Sequence, residues 1–193
     1  MAPTMNIRAA VSLVGVAAVV MLGWWLQEQI TRPPQPAASR AERAPDYYLD
    51  DFTLIDMNRQ GQPRSRLSAE RMTHYAYDDH AELTQPRLLF YPHGGAPWHV
   101  RAERGRVSDN NKLVDLLGPV HIERPASTDN RPVTVDTRDL AVYPADSYAT
   151  SKAHTVIRSQ ASMLEGVGMR VWFTQQRLEL LSQVRGSYRH ATP

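Results

Sequence analysis

The chain has no cysteine among its 193 residues, which excludes disulfides, thiolate metal ligands, redox pairs and cysteine nucleophiles. An oxidising compartment stays open to it. Lysine is nearly as scarce, with only Lys112 and Lys152, so almost all the positive charge is arginine. Twenty-two basic against 20 acidic side chains leave a net charge of +2. That is far from the dense basic stripe that a phosphate backbone requires, and no nucleic-acid partner is expected. Catalytic signatures are missing as well: there is no G-x-S-x-G elbow, H-E-x-x-H, Walker A loop or S-x-x-K, the spacings that place a nucleophile, a metal or a nucleotide phosphate. The histidines at 74, 80, 93, 99, 121, 154 and 190 lack the i, i+2 or i, i+4 grouping of a metal site. Neither a metal nor a cofactor is expected. Gly166 and Gly168 form a single G-x-G that reads as a bulge or turn before the next strand.

One long apolar run is present. Ala9 to Leu26 spans 18 residues without a charge, or roughly 27 Å as a helix, close to the thickness of a bilayer core. Trp24 and Trp25 stand where an interfacial aromatic pair anchors its far end. The competing reading, a cleavable signal peptide, has a shorter apolar region and a small-x-small cleavage site, whereas this run ends in Trp-Trp-Leu. The sequence therefore predicts a short cytoplasmic amino terminus over 1–8, a single transmembrane helix over 9–26, and a domain delivered to the periplasm of a bacterium. Residues 27–45 carry Pro33, Pro34, Pro36 and Pro45 with no periodic apolar face, which predicts a semi-extended linker.

From residue 46 to 190 the pattern is all-β. No window sustains a period of 3.6, and short alternating segments are divided by turn chemistry. Val114, Leu116, Val120 and Ile122 occupy alternate positions, as do Val133 and Val135, then Leu140 and Val142, then Met169, Val171 and Phe173. Each set shares one face of its strand. Between them lie Asn58 to Gly61, Asp78-Asp79, Pro92 to Pro97, Asp109 to Asn111, Thr128 to Pro132 and Pro144 to Asp146, all rich in turn formers.

An internal repeat is also visible. Ala69-Glu70-Arg71 recurs 33 positions on as Ala102-Glu103-Arg104, and Leu83 and Pro86 recur as Leu116 and Pro119. Glu179-Leu180-Leu181 with Val184 echo Asp115-Leu116-Leu117 with Val120 at an offset of 64. Stacked units of this kind bury an apolar face against their neighbours and end in unpaired strand edges. Alternation alone does not separate a closed core from a ligand groove. The acidic pairs Asp50-Asp51 and Asp78-Asp79 read as strand-edge charge or turns; a glycosidase would need two inward carboxylates facing each other.

The segments PDYYLDDFTLIDMNRQGQPRSRLSAERMTHY, ELTQPRLLFY, WHVRAERGRV, LVDLLGPVHI, VTVDTRDLAVYP and GVGMRVWFTQQRLELLSQVRGSY resemble the LptC family of lipopolysaccharide export. Their order and spacing behind a single amino-terminal helix, with L-x-G-x-V at Leu116 to Val120 and G-x-G-M at Gly166 to Met169, carry the resemblance over nearly the whole chain.

The resemblance implies an antiparallel β-jelly roll of two facing sheets and repeated hairpins. Its interior would receive lipopolysaccharide from the ATP-driven LptB, LptF and LptG transporter and pass it to the periplasmic protein LptA, with no enzymatic step. The inward set expected to line such a groove is Leu54, Leu67, Leu83, Leu88, Trp98, Val100, Leu116, Val120, Ile122, Val135, Leu140, Val142, Val171, Phe173, Leu180 and Val184. The first strand, with Tyr48, Phe52 and Leu54, would join the transporter. The last, with Leu178, Leu180 and Val184, would receive LptA. Arg64, Arg66, Arg101 and Arg104 stand either near lipid phosphates or on a solvated strand face. The alternative is a membrane-tethered adaptor that docks proteins by β-augmentation and never touches lipid.

Overall fold

The computed structural model describes residues 44–188, apart from 93, 109–111, 129 and 161. The amino terminus expected over 1–8, the membrane helix expected over 9–26 and nearly all of the 27–45 linker lie outside the described residues. Among the described residues no helix is long and apolar enough to cross a membrane.

The described chain is antiparallel β-sheet almost throughout. The strands are β1 (Tyr47–Met57), β2 (Pro63–Tyr75), β3 (His80–Thr84), β4 (Arg87–Phe90), β5 (Trp98–Ser108), β6 (Leu113–Arg124), β7 (Val133–Tyr143), β8 (Tyr148–Ser159), β9 (Ser162–Trp172) and β10 (Arg177–Tyr188). The turns form where their chemistry predicts. Between β1 and β2 the Asn58 side-chain oxygen accepts the amides of Gln60 at 3.0 Å and Gln62 at 2.9 Å, a local bond that competes with extended backbone. Between β7 and β8, Pro144 starts a single 3₁₀ turn that Ser147 ends in the left-handed region.

All ten strands belong to one sheet in the order β1-β2-β3-β5-β6-β7-β8-β9-β10, with β4 continuing the path of β3 between β2 and β5. The jelly-roll-like form thus arises from one bent sheet rather than from two separately paired ones. Bends fall near the middle of the strands. Pairing shifts between Ala102 and Arg104 in β5, Leu116 and Pro119 in β6, Asp136 and Ala141 in β7, Ser151 and His154 in β8, and Ser182 and Arg185 in β10. At or beside this level Asp51, Gln85, Gly118, Asp139, Gly168 and Gln183 adopt positive φ. An extra residue in this conformation kinks a strand and strengthens its twist, so the sheet divides into two arms.

The 33-residue repeat marks this device. Ala69-Glu70-Arg71 and Ala102-Glu103-Arg104 sit at the bends of β2 and β5, while Gln85 and Gly118, also 33 apart, both take positive φ. Polar groups exposed by the bends are satisfied locally. The amide of Gly118 donates to Asp139 Oδ1 at 2.8 Å. At the β7–β8 bend the buried hydroxyls of Thr137 and Thr155 lie 2.9 Å apart, and Ser151 donates to the carbonyl of Arg138 at 2.6 Å.

One apolar core holds residues from both arms, including Leu83, Val100, Leu116, Ile122, Val135, Leu140, Val142, Met169 and Val171. At one end the Phe90 and Phe173 rings stack at 4.1 Å, with the Trp98 ring edge-on at 5.9 Å from Phe173. Because β4 and β9 are not sheet neighbours, this aromatic cluster joins distant parts of the bent sheet through side chains.

Gly118 has φ +78 and nothing within 4 Å of where a Cβ would stand, so any penalty for a side chain there is conformational. Gly118→Val is expected to lower stability by about 1–3 kcal/mol in urea denaturation, and Gly118→Asn by less, because asparagine tolerates the left-handed region.

Candidate functional site

The first strand forms one wall of an open cleft. Positive φ at Asp51 reverses the strand's facing, so that Tyr47 and Leu49 before it and Phe52 and Leu54 after it all border the same cavity. Leu67 and Met72 of β2, the register partners of Leu54 and Leu49, and Leu88 of β4 continue this wall, and Val107 and Val114 also line the cavity, with Pro144 and Ala145 of the 3₁₀ turn. The volume is about 530 Å³. Arg64 and Arg66 also border it, with Asp56; Arg64 and Asp56 are joined at 2.6 Å. The lining is thus apolar with a charged margin.

The expected lining residues divide into two groups. Leu83, Leu88, Trp98, Val100, Leu116, Val120, Ile122, Val135, Leu140, Val142, Val171 and Phe173 are buried, and Leu67 and Leu180 pack partly buried against them. Leu54 and Val184 are 59% and 54% exposed. Only Leu54, Leu67 and Leu88 of the sixteen border the open cleft. Tyr47, Leu49, Met72, Val107 and Val114 border it outside that set. For Tyr47 and Leu49 the signal was the parity change at Asp51, which alternation does not reveal.

Both ends of the sheet are unpaired among the described residues: β1 pairs only with β2, and β10 only with β9. Tyr48, Phe52 and Leu54 lie on the first edge, with Phe52 partly buried and the other two exposed. Leu178, Leu180 and Val184 lie on the second, where the leucines pack inward. Further exposed apolar side chains sit at these edges, Ile55 and Met57 on β1 and Leu181 on β10.

The remaining charged candidates lie away from the cleft. Arg101 reaches Glu123 at 2.8 Å across β5 and β6. Arg104 is exposed opposite Leu117, with no ion pair among the described residues. Asp50 holds Arg71 at 2.7 Å, Asp51 forms the bend, and Asp78 and Asp79 receive His80 and His74. The acidic pairs therefore serve the strand edge and a turn. Among the described residues no group of three or more His, Asp or Glu could hold a metal ion.

The start of β1 is pinned beside the cleft. His74 Nδ1 lies 2.8 Å from Asp46 and Nε2 lies 3.2 Å from Asp79, while the Tyr47 ring stacks on the imidazole at 4.6 Å. The hydrogen bond to Asp46 raises the His74 pKa, burial opposes it, and Asp79 adds to the rise. The same hydrogen bond holds the Asp46 carboxyl below its usual value.

A family model described as "Lipopolysaccharide-assembly, LptC-related" matches residues 13–189. No curated protein matches the sequence. The crystal structure of LptH, the LptA-homologous periplasmic component of the lipopolysaccharide transport device of Pseudomonas aeruginosa, is similar over 76% of this chain and 96% of that one. Its identity is 9% and the TM-score 0.44.

Folding gives His74 two carboxylate partners, so the protonated form is favoured in the native state. This contribution is complete below about pH 6.5, the ordinary imidazole value, and is lost as the pH rises through the raised native value. The denaturation midpoint is expected to fall between about pH 6 and about pH 8, and His74→Gln to flatten that dependence. Urea denaturation across this range measures both effects.

Proposed function

Because the chain belongs to the LptC family, whose place is in lipopolysaccharide transport, we propose that its β-domain carries the lipid's acyl chains, beginning at the cleft beside β1. The observation that carries this reading is the open apolar cavity between the arms. Moving a methylene into water costs about 0.8 kcal/mol, so a chain with ten of them costs about 8 kcal/mol to expose. A lipid with several chains needs a sheltered route. A cavity of about 530 Å³ falls within the range of roughly 300–1,000 Å³ found for ligand pockets. It accommodates part of such a lipid at a time.

In this reading the apolar run over 9–26 anchors the chain in the inner membrane, with the β-domain in the periplasm. The β1 edge receives a strand from the LptB, LptF and LptG transporter and the β10 edge one from LptA, in each case main chain pairing with main chain. Arg66 at the margin, and Arg64 once released from Asp56, would meet anionic headgroup oxygens. The buried candidates around Leu116 and Val135 become lining only when the arms separate. No residue supplies energy, so direction comes from ATP hydrolysis in the transporter. The exposed apolar side chains on both edges equally favour the second reading, an adaptor that docks proteins without touching lipid.

A photo-crosslinking amino acid at Leu67 or Met72, in the full chain mixed with lipopolysaccharide, is expected to give a lipid adduct. The same group at Leu89, on the opposite face from the buried Leu88 and Phe90, is expected to give none. No adduct at 67 or 72 would remove the lipid-carrying reading and leave the adaptor.

A further inference from the structure

Among the described residues three buried side-chain nitrogens have no hydrogen-bond partner: His80 Nε2, Trp98 Nε1 and Arg124 Nε. The last two belong to one contact. The Arg124 guanidinium lies 4.8 Å from the centroid of the Trp98 ring, and Trp98 is only 2% exposed. An unsatisfied buried donor is costly, and native structures contain few of them. Two in a single stacked pair require an explanation at that place.

Among the described residues Arg124 also has no counter-charge. It forms no ion pair among the described residues. Its two hydrogen bonds go to neutral oxygens: Nη1 donates to Gln176 Oε1 at 2.8 Å, and Nη2 donates to the carbonyl of Arg131 at 3.4 Å. Arg131 itself is exposed and likewise without an ion pair among the described residues. Burial lowers the Arg124 pKa, the direction expected of a cation that has lost water without gaining an anion.

These groups lie where three loops meet at one end of the sandwich. Gln176, an exposed residue with positive φ, bridges them, since its Nε2 donates to the carbonyl of Gly94 at 2.8 Å while its Oε1 caps Arg124.

We propose that this end is an oxyanion site for a phosphate group. The phosphate oxygens would displace the neutral Gln176 cap and bind the Arg124 guanidinium, with Arg131 as the second cation. Guanidinium edges match phosphate oxygens in paired hydrogen bonds, and two cations without an ion pair among the described residues favour a dianion over a single carboxylate. The Trp98 indole holds the guanidinium plane from behind. The site is separate from the β1 cleft, and it stands or falls independently of lipid carriage there. The phosphate is either free in solution or borne on a lipid headgroup.

The test follows the Trp98 Nε1–H and Arg124 Nε–H signals by ¹H–¹⁵N NMR of the full chain in uncharged micelles at constant ionic strength. Trp98→Phe assigns the indole. Inorganic phosphate is added in one arm; short-chain phosphatidic acid, against short-chain diacylglycerol, in the other. Saturable shifts of both signals with inorganic phosphate establish a soluble oxyanion site. Shifts with phosphatidic acid alone establish a lipid-borne one. No shift in either arm overturns the proposal, as does an unchanged shift of the Trp98 signal in a folded Arg124→Gln variant. Gln176→Ala removes the neutral cap and keeps the cation, so it carries the test even if Arg124→Gln does not fold. Half-saturation is expected at about ten-fold lower phosphate, the worth of one hydrogen bond to a charged group. An unchanged or higher value overturns the displacement.

Discussion

The structure depends on the bend that recurs across its strands. Ten strands of one antiparallel sheet cannot bury an apolar face against each other unless the sheet turns back on itself, and a bend in one strand has to be matched in the strands beside it. The match is made by residues with little conformational resistance. Gly118 and Gly168 accept the left-handed region without a Cβ, and Asp51 and Asp139 are of the type that tolerates it. Asp139 serves twice, because its carboxylate also accepts the amide that the Gly118 kink turns away from the ladder. Once the bends are aligned, hydrophobic burial between the arms follows from the alternation within each half-strand.

How far the sequence predicts the structure follows from the same feature. The alternating sets were legible because half-strands are regular: Leu140 and Val142 are one inward set and Val135 another, both buried. Between them the parity changes at Asp139, so a single periodicity over the whole of β7 does not exist. The 33-residue repeat was legible as a repeat, but its meaning as a bend required the backbone angles at Gln85 and Gly118. For the cleft, the expected lining set included Leu54, Leu67 and Leu88. It did not separate them from Val100 or Leu116, which face inward too and are sealed. Whether an inward side chain meets a neighbour or a cavity depends on how far the arms stand apart, and that is set by tertiary packing. The Arg124 cluster was illegible for a different reason: its parts come from four stretches separated by up to 82 positions, as between Gly94 and Gln176.

The aromatic cluster and the β1 edge differ physically, and that difference bears on how readily the arms separate. Near Phe90, Trp98 and Phe173 the arms are joined by stacked rings, and the adjoining loops by the Gln176 bridge. Aromatic pairs of this kind contribute about 0.5–1.5 kcal/mol each beyond their area burial, so separating the arms there breaks several interactions at once. Along β1 the strand has a neighbour on one side only and is mostly exposed. It is held to β2 by its ladder, by the exposed pair of Asp50 with Arg71, by the half-buried pair of Asp56 with Arg64 and by Asp46 on His74. The exposed pair contributes at most about 1 kcal/mol. The arms therefore separate with least cost from the β1 side. The cavity beside β1 already exists and is bounded inward by progressively tighter packing, so widening it begins at that edge.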